Sequence, residues 1–411
     1  MEKYYFTQNV HMINGAKRSC IYDLNSGDLY SLNEEARQTI EYIIGGQDTF
    51  PKAVTLKEVE NFINVLLERE LISLKNFQNL KSENYDSGIE FAWIEVTKRC
   101  NLKCIHCYNP KEALSLKSNK ADMTYDEFCR AVDVLVKSKV RSIQIIGGEP
   151  LVLGKILIKM LDYAKDKFKS ITIFTNGTLM NEEFIDSFKK TKIKHVAFSI
   201  YSYLDKDHDR VTKVEKSLDK TKKAIELMKK NHIEFRVANV RMKHISIGEK
   251  NTDLFDLNGK YDFVRLSGRG NLNLYDKEQL RKKLITKEKF QNKVSSKFFE
   301  KAKNIHNCFG TKVYIDINLN VYPCVMERRI CHGNIREKVL HDILNKDICN
   351  LNKDKVQGCK HCEYRYACFD CRPDAITHNT NEKPWYCTYD PYLGQWCDID
   401  EFIKELEEKL C

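Results

Sequence analysis

Three thiols stand close together in Cys100-Asn-Leu-Lys-Cys104-Ile-His-Cys107, a three-residue gap followed by a two-residue gap with no fourth cysteine nearby. Zinc sites are usually built from paired short gaps that supply four ligands. Three thiolates on a [4Fe–4S] cluster leave one iron open to chelate something else. A second constellation, Gly147-Gly148-Glu149-Pro150, closes the next predicted strand. Gly-Gly permits a backbone turn closed to other residues, and Pro fixes the dihedral that follows. Thr175-Asn176-Gly177 and Ser199 end the two strands after that, with Arg210 and Gly268-Arg269-Gly270 further on. Ligands gather at such carboxyl ends in parallel sheets. A third constellation fills the tail: Cys308 and Cys324, then Cys359-x2-Cys362-x5-Cys368-x2-Cys371-x15-Cys387. Five residues between the central pairs are too few for a zinc ribbon. Seven thiols also exceed one four-ligand site.

The elements that must position these groups are legible in the periodicity. From Phe91 to about Gly270 strands alternate with helices. The strands are Phe91–Thr97, Ser142–Ile146, Ser170–Thr175, His195–Ile200, Glu234–Val240 and Asp262–Leu266. The helices are Thr124–Lys137, Lys155–Phe168, Asn181–Lys190 and about Glu215–Lys230. Repeated βα units of this length predict an α/β parallel sheet with crossover helices, open or curled into a barrel. Residues 1–75 read as a small α+β module. Strands Asn9–Ile13, Arg18–Leu24 and Asp28–Leu32 are joined by Asn14-Gly15 and Asn25-Ser26-Gly27. A helix capped by Asn33 ends at Gly45-Gly46, and a second opens with the capping box Thr55–Glu58. Residues 76–90 form a polar linker, 91–270 the core, 271–307 a bridging helical segment and 308–411 a cysteine-rich tail that metal must hold together.

Composition bounds the function. Sixteen cysteines in 411 residues fit metal binding better than the disulfide framework of a small secreted domain. The formal charge of +10 is spread along amphipathic helices, so a solvated lysine-rich surface explains it and nucleic acid is not the expected partner. No signal peptide or membrane span is evident, which predicts a cytoplasmic protein.

The first cysteine spacing resembles the radical S-adenosylmethionine (SAM) superfamily. That resemblance implies a partial (β/α)6 barrel, with Cys100, Cys104 and Cys107 on a [4Fe–4S] cluster whose open iron binds SAM. His106 takes the place of an aromatic beside the adenine. Gly147, Gly148, Glu149 and Pro150 would aim carbonyls and the Glu149 carboxylate at the cofactor's ammonium group. Asn176, Ser199 and Arg210 would complete its contacts. The tail resembles the SPASM extension with two auxiliary [4Fe–4S] clusters, which gives three clusters in all. Carried over, Cys359, Cys362, Cys368 and Cys387 hold the outer one, and Cys308, Cys324 and Cys371 the inner. An eighth ligand comes from Cys331 or Cys397, or one iron stays open for a substrate thiolate. Cys20, Cys129, Cys349 and Cys411 read as unliganded. Residues 1–75 resemble the peptide-recognition (RRE-like, winged-helix) domain of enzymes that modify ribosomally made peptides. Edge strand Asp28–Leu32 and helix Leu56–Arg69 would form the groove for a leader peptide.

The activity implied is peptide maturation. A 5′-deoxyadenosyl radical abstracts a hydrogen atom from a precursor peptide, and a thioether closes from a peptide cysteine, with a flavodoxin or ferredoxin supplying electrons. Rival readings are a formylglycine-generating sulfatase activator, a peptide carbon–carbon crosslinking enzyme or epimerase, and a non-enzymatic iron–sulfur electron carrier.

Overall fold

The protein is described by a computed structural model, covering residues 2–45, 50–77, 88–109, 120–191, 193–291, 293–369, 371–375 and 379–410. Gly46, most of the predicted linker 76–90 and Cys411 lie outside the described residues. Contacts group the chain into two compact units. The first comprises Met1–Asp86, Leu284–Asn307 and Asn350–Leu406; the second comprises Ser87–Lys283, Cys308–Cys349 and Glu407–Cys411.

In the first unit, β1 (Tyr5–Phe6) precedes an antiparallel sheet of β2 (Val10–Asn14), β3 (Ser19–Asp23) and β4 (Leu29–Leu32), with β3 in the middle. Helix α1 (Glu34–Ile43) is capped by the Asn33 side chain, which accepts from Ala36 N at 2.9 Å. Helix α2 (Leu56–Glu68) opens with the Thr55–Glu58 capping box. Strand β5 (Ile72–Ser73) then pairs with β1, a ribbon too short to leave a periodic signal. Val10, Ile21, Ile40, Ile43, Val59, Ile63 and Leu66 form the core of this module. On the other face of β3, Cys20 and Tyr22 pack with Phe299, Tyr364, Tyr366 and Tyr389, so residues 1–75 share a core with the chain after Leu284.

The second unit carries the βα series. Strands β6 (Phe91–Thr97), β7 (Ser142–Gly147), β8 (Ser170–Thr175), β9 (His195–Ser199) and β10 (Phe235–Ala238) run parallel in chain order. Between them lie α3 (Tyr125–Lys137), α4 (Lys155–Ala164), α5 (Glu182–Thr191), α6 (Asp205–Thr212) and α7 (Ser217–Lys230). The continuous apolar strands and the inward helix faces bury one core, including Ile94, Phe128, Leu135, Ile145, Leu161, Ile173, Phe198 and Ile225. Two expectations need correction. The fifth predicted strand, Glu234–Val240, is interrupted at Asn239, whose side chain donates to Ile200 O at 2.7 Å; β11 (Val240–Arg241) then pairs with β12 (Asp262–Phe263), a sixth strand of only two residues. Helix α6 was absent from the periodicity because it is short and strongly polar. On the far side of β6 the sheet continues through β13 (Lys312–Ile315, parallel), then β14 (Asn320–Tyr322) and β15 (Gly333–Asn334), both antiparallel. Part of the tail thus extends the barrel sheet.

Candidate metal centre and cofactor cavity

The loop after β6 presents Cys100, Cys104 and Cys107 to a cavity of about 370 Å³ at the carboxyl ends of the parallel strands. The loop is tied down by backbone hydrogen bonds. Lys103 N and Ile105 N donate to the last carbonyls of α6, Thr212 O and Val211 O, both at 2.9 Å. On the other side Arg269 donates through its backbone N to Cys107 O (2.8 Å) and through Nε to Cys104 O (2.7 Å). Gly268, at φ +62°, lies so close that a Cβ would stand 2.5 Å from Cys107 O, so only glycine lets this loop pack there. The Gly268-Arg269-Gly270 segment therefore belongs to the site.

Gly147 and Gly148 are also required, for a different reason from the one expected. Neither has a positive φ. A Cβ on Gly147 would meet Thr97 O at 2.5 Å, and one on Gly148 would meet Arg99 O at 2.3 Å. Gly148 N and Glu149 N instead donate to Thr97 O and Arg99 O, each at 2.8 Å. Close backbone approach between the two motifs, rather than a special turn, selects glycine.

Glu149 is buried, and its carboxylate is already engaged. Oε1 accepts from Thr175 Oγ1 (2.7 Å) and Leu151 N (3.0 Å), and Oε2 from Asn176 N (2.7 Å). Burial pushes this carboxyl up to about 7 against those three donors. The side chain welds the Gly-Gly turn to the end of β8 and also lines the cavity. Pro150 starts the short 3-10 turn that follows. Asn176 lines the cavity and donates to Asn101 Oδ1 at 3.0 Å, joining the β8 end to the cysteine loop. Ser199 also lines the cavity, and the Tyr201 hydroxyl reaches both Ser199 and the Cys104 sulfur. His106 is stacked edge-on against Tyr201, centroids 4.8 Å apart at 74°. Its Nδ1 has no partner among the described residues. Arg210 does not join the group: it pairs with Asp207 at 3.5 Å on α6, half-exposed, away from the cavity lining. The sequence reasoning missed Tyr201, Asn101, Trp93, Gln144 and Phe174, single residues with no motif to mark them.

Burial pushes the Cys100 and Cys104 thiols up to about 12. Bare, they are held as thiols; positive charge among them would make them thiolates, which is the chemistry of an iron site. Among the described residues no three His, Cys, Asp or Glu side chains converge on a single metal-ion position. The three thiols ring a space instead. The donor set and the orphaned His106 nitrogen fit a three-thiol cluster with a cofactor beside it.

In the first unit, Cys359, Cys362, Cys368 and Cys387 line one small cavity walled by Phe290, Tyr364, Tyr389 and Trp396. Cys308 and Cys324 lie in the second unit and Cys371 in the first. Cys331 and Cys397 are exposed, while Cys20 and Cys349 are buried and Cys129 is half-buried.

Among curated proteins, the chain is 33% identical over 199 residues to the antilisterial bacteriocin subtilosin biosynthesis protein AlbA of Bacillus subtilis, a match covering 46% of this chain and 42% of AlbA. The chain thus matches less than half the length of that relative. Its fold is similar to Streptococcus suis SuiB bound to precursor peptide SuiA (TM-score 0.55, 15% identity, 93% of this chain and 98% of that one). It is also similar to anSMEcpe with bound AdoMet (TM-score 0.51, 19% identity, 78% of this chain and 93% of that one). No described helix is long and apolar enough to cross a membrane. Residues 94–247, which carry the three thiols, the Gly-Gly-Glu turn and the strand ends around the cavity, match the Radical SAM superfamily: the chain contains a radical SAM domain.

Proposed function

We propose that this chain is a radical SAM enzyme that matures a ribosomally synthesised peptide, closing a thioether from a peptide cysteine. The observation that carries the radical chemistry is that Cys100, Cys104 and Cys107 line one cavity at the carboxyl ends of the parallel strands. A cluster held there supplies the electron that splits SAM and so generates the hydrogen-abstracting group. The chain's own residues hold the geometry. Arg269 and the α6 carbonyls fix the thiol loop, Glu149 locks the Gly-Gly turn, and His106 and Tyr201 wall one side. Trp93 and Phe174 add apolar lining that excludes water from a reactive carbon centre.

Peptide as substrate is supported by the likeness to AlbA and to the fold of peptide-bound SuiB. It is supported too by the N-terminal sheet, in which β4 pairs with β3 alone among the described strands. Arg69 at the end of α2 stacks over Tyr30 of β4 at 5.2 Å, so this helix stands beside the open edge, where an extended leader would add as a strand. Leu56, Val65 and Leu67 of α2 are exposed. Thioether closure removes two hydrogens: one leaves as an atom with the deoxyadenosyl group, one as a proton from the thiol. Cys359, Cys362, Cys368 and Cys387 would hold an auxiliary [4Fe–4S] cluster, which would supply an acceptor for the remaining electron. The enzyme would draw its reducing electrons from an acidic flavodoxin or ferredoxin. The test is anaerobic reconstitution with a cysteine-bearing precursor peptide. A mass loss of two hydrogens, with blocked thiol alkylation, supports thioether closure. Mass loss with a free thiol indicates another crosslink, and formylglycine on a sulfatase peptide overturns the reading.

A further inference from the structure

Two buried cations accompany the four thiols of the outer site. Arg372 is only 1% exposed. Its Nη1 donates to Glu382 O (2.7 Å) and Thr380 O (3.2 Å), and its Nη2 stands 3.8 Å from Cys359 Sγ. Lys353, also buried, lines the same cavity and donates to the backbone carbonyl of Cys368. The same cavity is walled by a set of packed rings: Tyr364 meets Phe290 at 4.9 Å and Trp396 at 5.8 Å, and Trp396 meets Tyr389 at 4.7 Å. Arg365 holds Asp354 at 2.7 Å, Glu363 accepts from the Tyr389 hydroxyl, and Lys383 donates to Tyr389 O at 3.1 Å.

Four thiolates around an oxidised [4Fe–4S] core carry two net negative charges, which these two cations offset. One further electron makes the cluster more negative still. The cations, acting across an aromatic-walled and poorly screening site, favour that reduced state. Net charge and hydrogen bonds to sulfur are established determinants of cluster potential.

We propose that Arg372 and Lys353 raise the reduction potential of the cluster held by Cys359, Cys362, Cys368 and Cys387, so that this site accepts an electron instead of serving only as a structural plug. The inference rests on the reading of these four thiols as a [4Fe–4S] site. The test is an EPR-monitored redox titration of the full-length, anaerobically reconstituted protein, with iron counted in every sample. Arg372→Gln is expected to shift the one-electron equilibrium at least about tenfold toward the oxidised form, about 59 mV downward. Lys353→Met is expected to shift it in the same direction, while Arg372→Lys keeps most of the wild-type value. Unchanged potentials in Arg372→Gln and Lys353→Met at full iron content overturn the proposal. If Arg372→Gln does not fold, an unchanged potential in Lys353→Met overturns it alone. If Cys359→Ala loses no iron, the four-thiol reading itself has failed.

Discussion

The two thiol sites differ in what surrounds them more than in what they offer to iron. Cys100, Cys104 and Cys107 sit on a loop, three in number, facing a cavity of about 370 Å³ with Asn176, Ser199 and Gln144 on its walls. Cys359, Cys362, Cys368 and Cys387 are four, with aromatic rings and the buried Lys353 in the same lining. Three thiols beside an open cavity with a few polar groups on its walls make a place for chemistry. Four thiols in an aromatic-walled pocket would make a place for an electron.

The largest expected effect separates the two sites directly. Cys104→Ala should abolish 5′-deoxyadenosine formation and remove about four of roughly twelve irons. Cys362→Ala should remove a similar amount of iron, abolish peptide maturation and leave cofactor cleavage without peptide unchanged. Anaerobic iron analysis and chromatography of the nucleoside check both, and equal loss of nucleoside in the two variants breaks the comparison. A smaller effect sharpens the role of the Gly-Gly turn. Gly148→Ala places a methyl against Arg99 O and should cost about 1–3 kcal/mol in thermal unfolding. It should also slow cofactor cleavage, because Arg99 directly precedes Cys100. Retention of full activity would show that the thiol loop tolerates movement.

The smallest effect lies in the frame of the barrel. Glu127 closes the capping box of α3 and also holds Lys120 at 2.6 Å and Arg336 at 2.7 Å. Desolvation pushes its carboxyl up, but Lys120, Thr124 and Arg336 together outweigh it and bring the group down to about 2 from an ordinary 4.5. A depressed carboxylate contributes stability above its unfolded value. That contribution fades as pH falls through the folded one. Glu127→Gln should therefore cost about 1 kcal/mol at neutral pH, a difference that shrinks below about pH 4.5 and vanishes near pH 2. Urea unfolding across that range checks it; a difference independent of pH contradicts the assignment.

Much of this was legible in the chain. The spacing of Cys100, Cys104 and Cys107 and the continuous apolar strands β6 to β9 are local patterns, and local patterns survive in one dimension. Capping residues Asn33 and Thr55 marked two helix starts to the residue. What escaped depends on tertiary contact. Nothing near Val313 says that it will pair beside Ala92 on β6, and nothing near Arg372 says that its guanidinium will reach Cys359. Gly148 was recognised but for the wrong property, since the atom it must avoid, Arg99 O, arrives from the loop after β6. The bonds of Glu149 to Thr175 and Asn176 were equally out of reach, because those partners come from the end of β8. Arg210 and Arg269 look equally eligible as sequence; only the fold carries Arg269 to the thiol loop and leaves Arg210 on the outer side of α6.

The vacant iron corner is the claim on which the rest depends, and pulsed EPR on reduced protein with isotopically labelled SAM addresses it most directly. Magnetic coupling between the labelled amino or carboxylate atoms and a cluster should appear in the wild type and in Cys362→Ala, and be absent from Cys104→Ala. No coupling in the wild type, or coupling that survives loss of Cys104, would contradict this account.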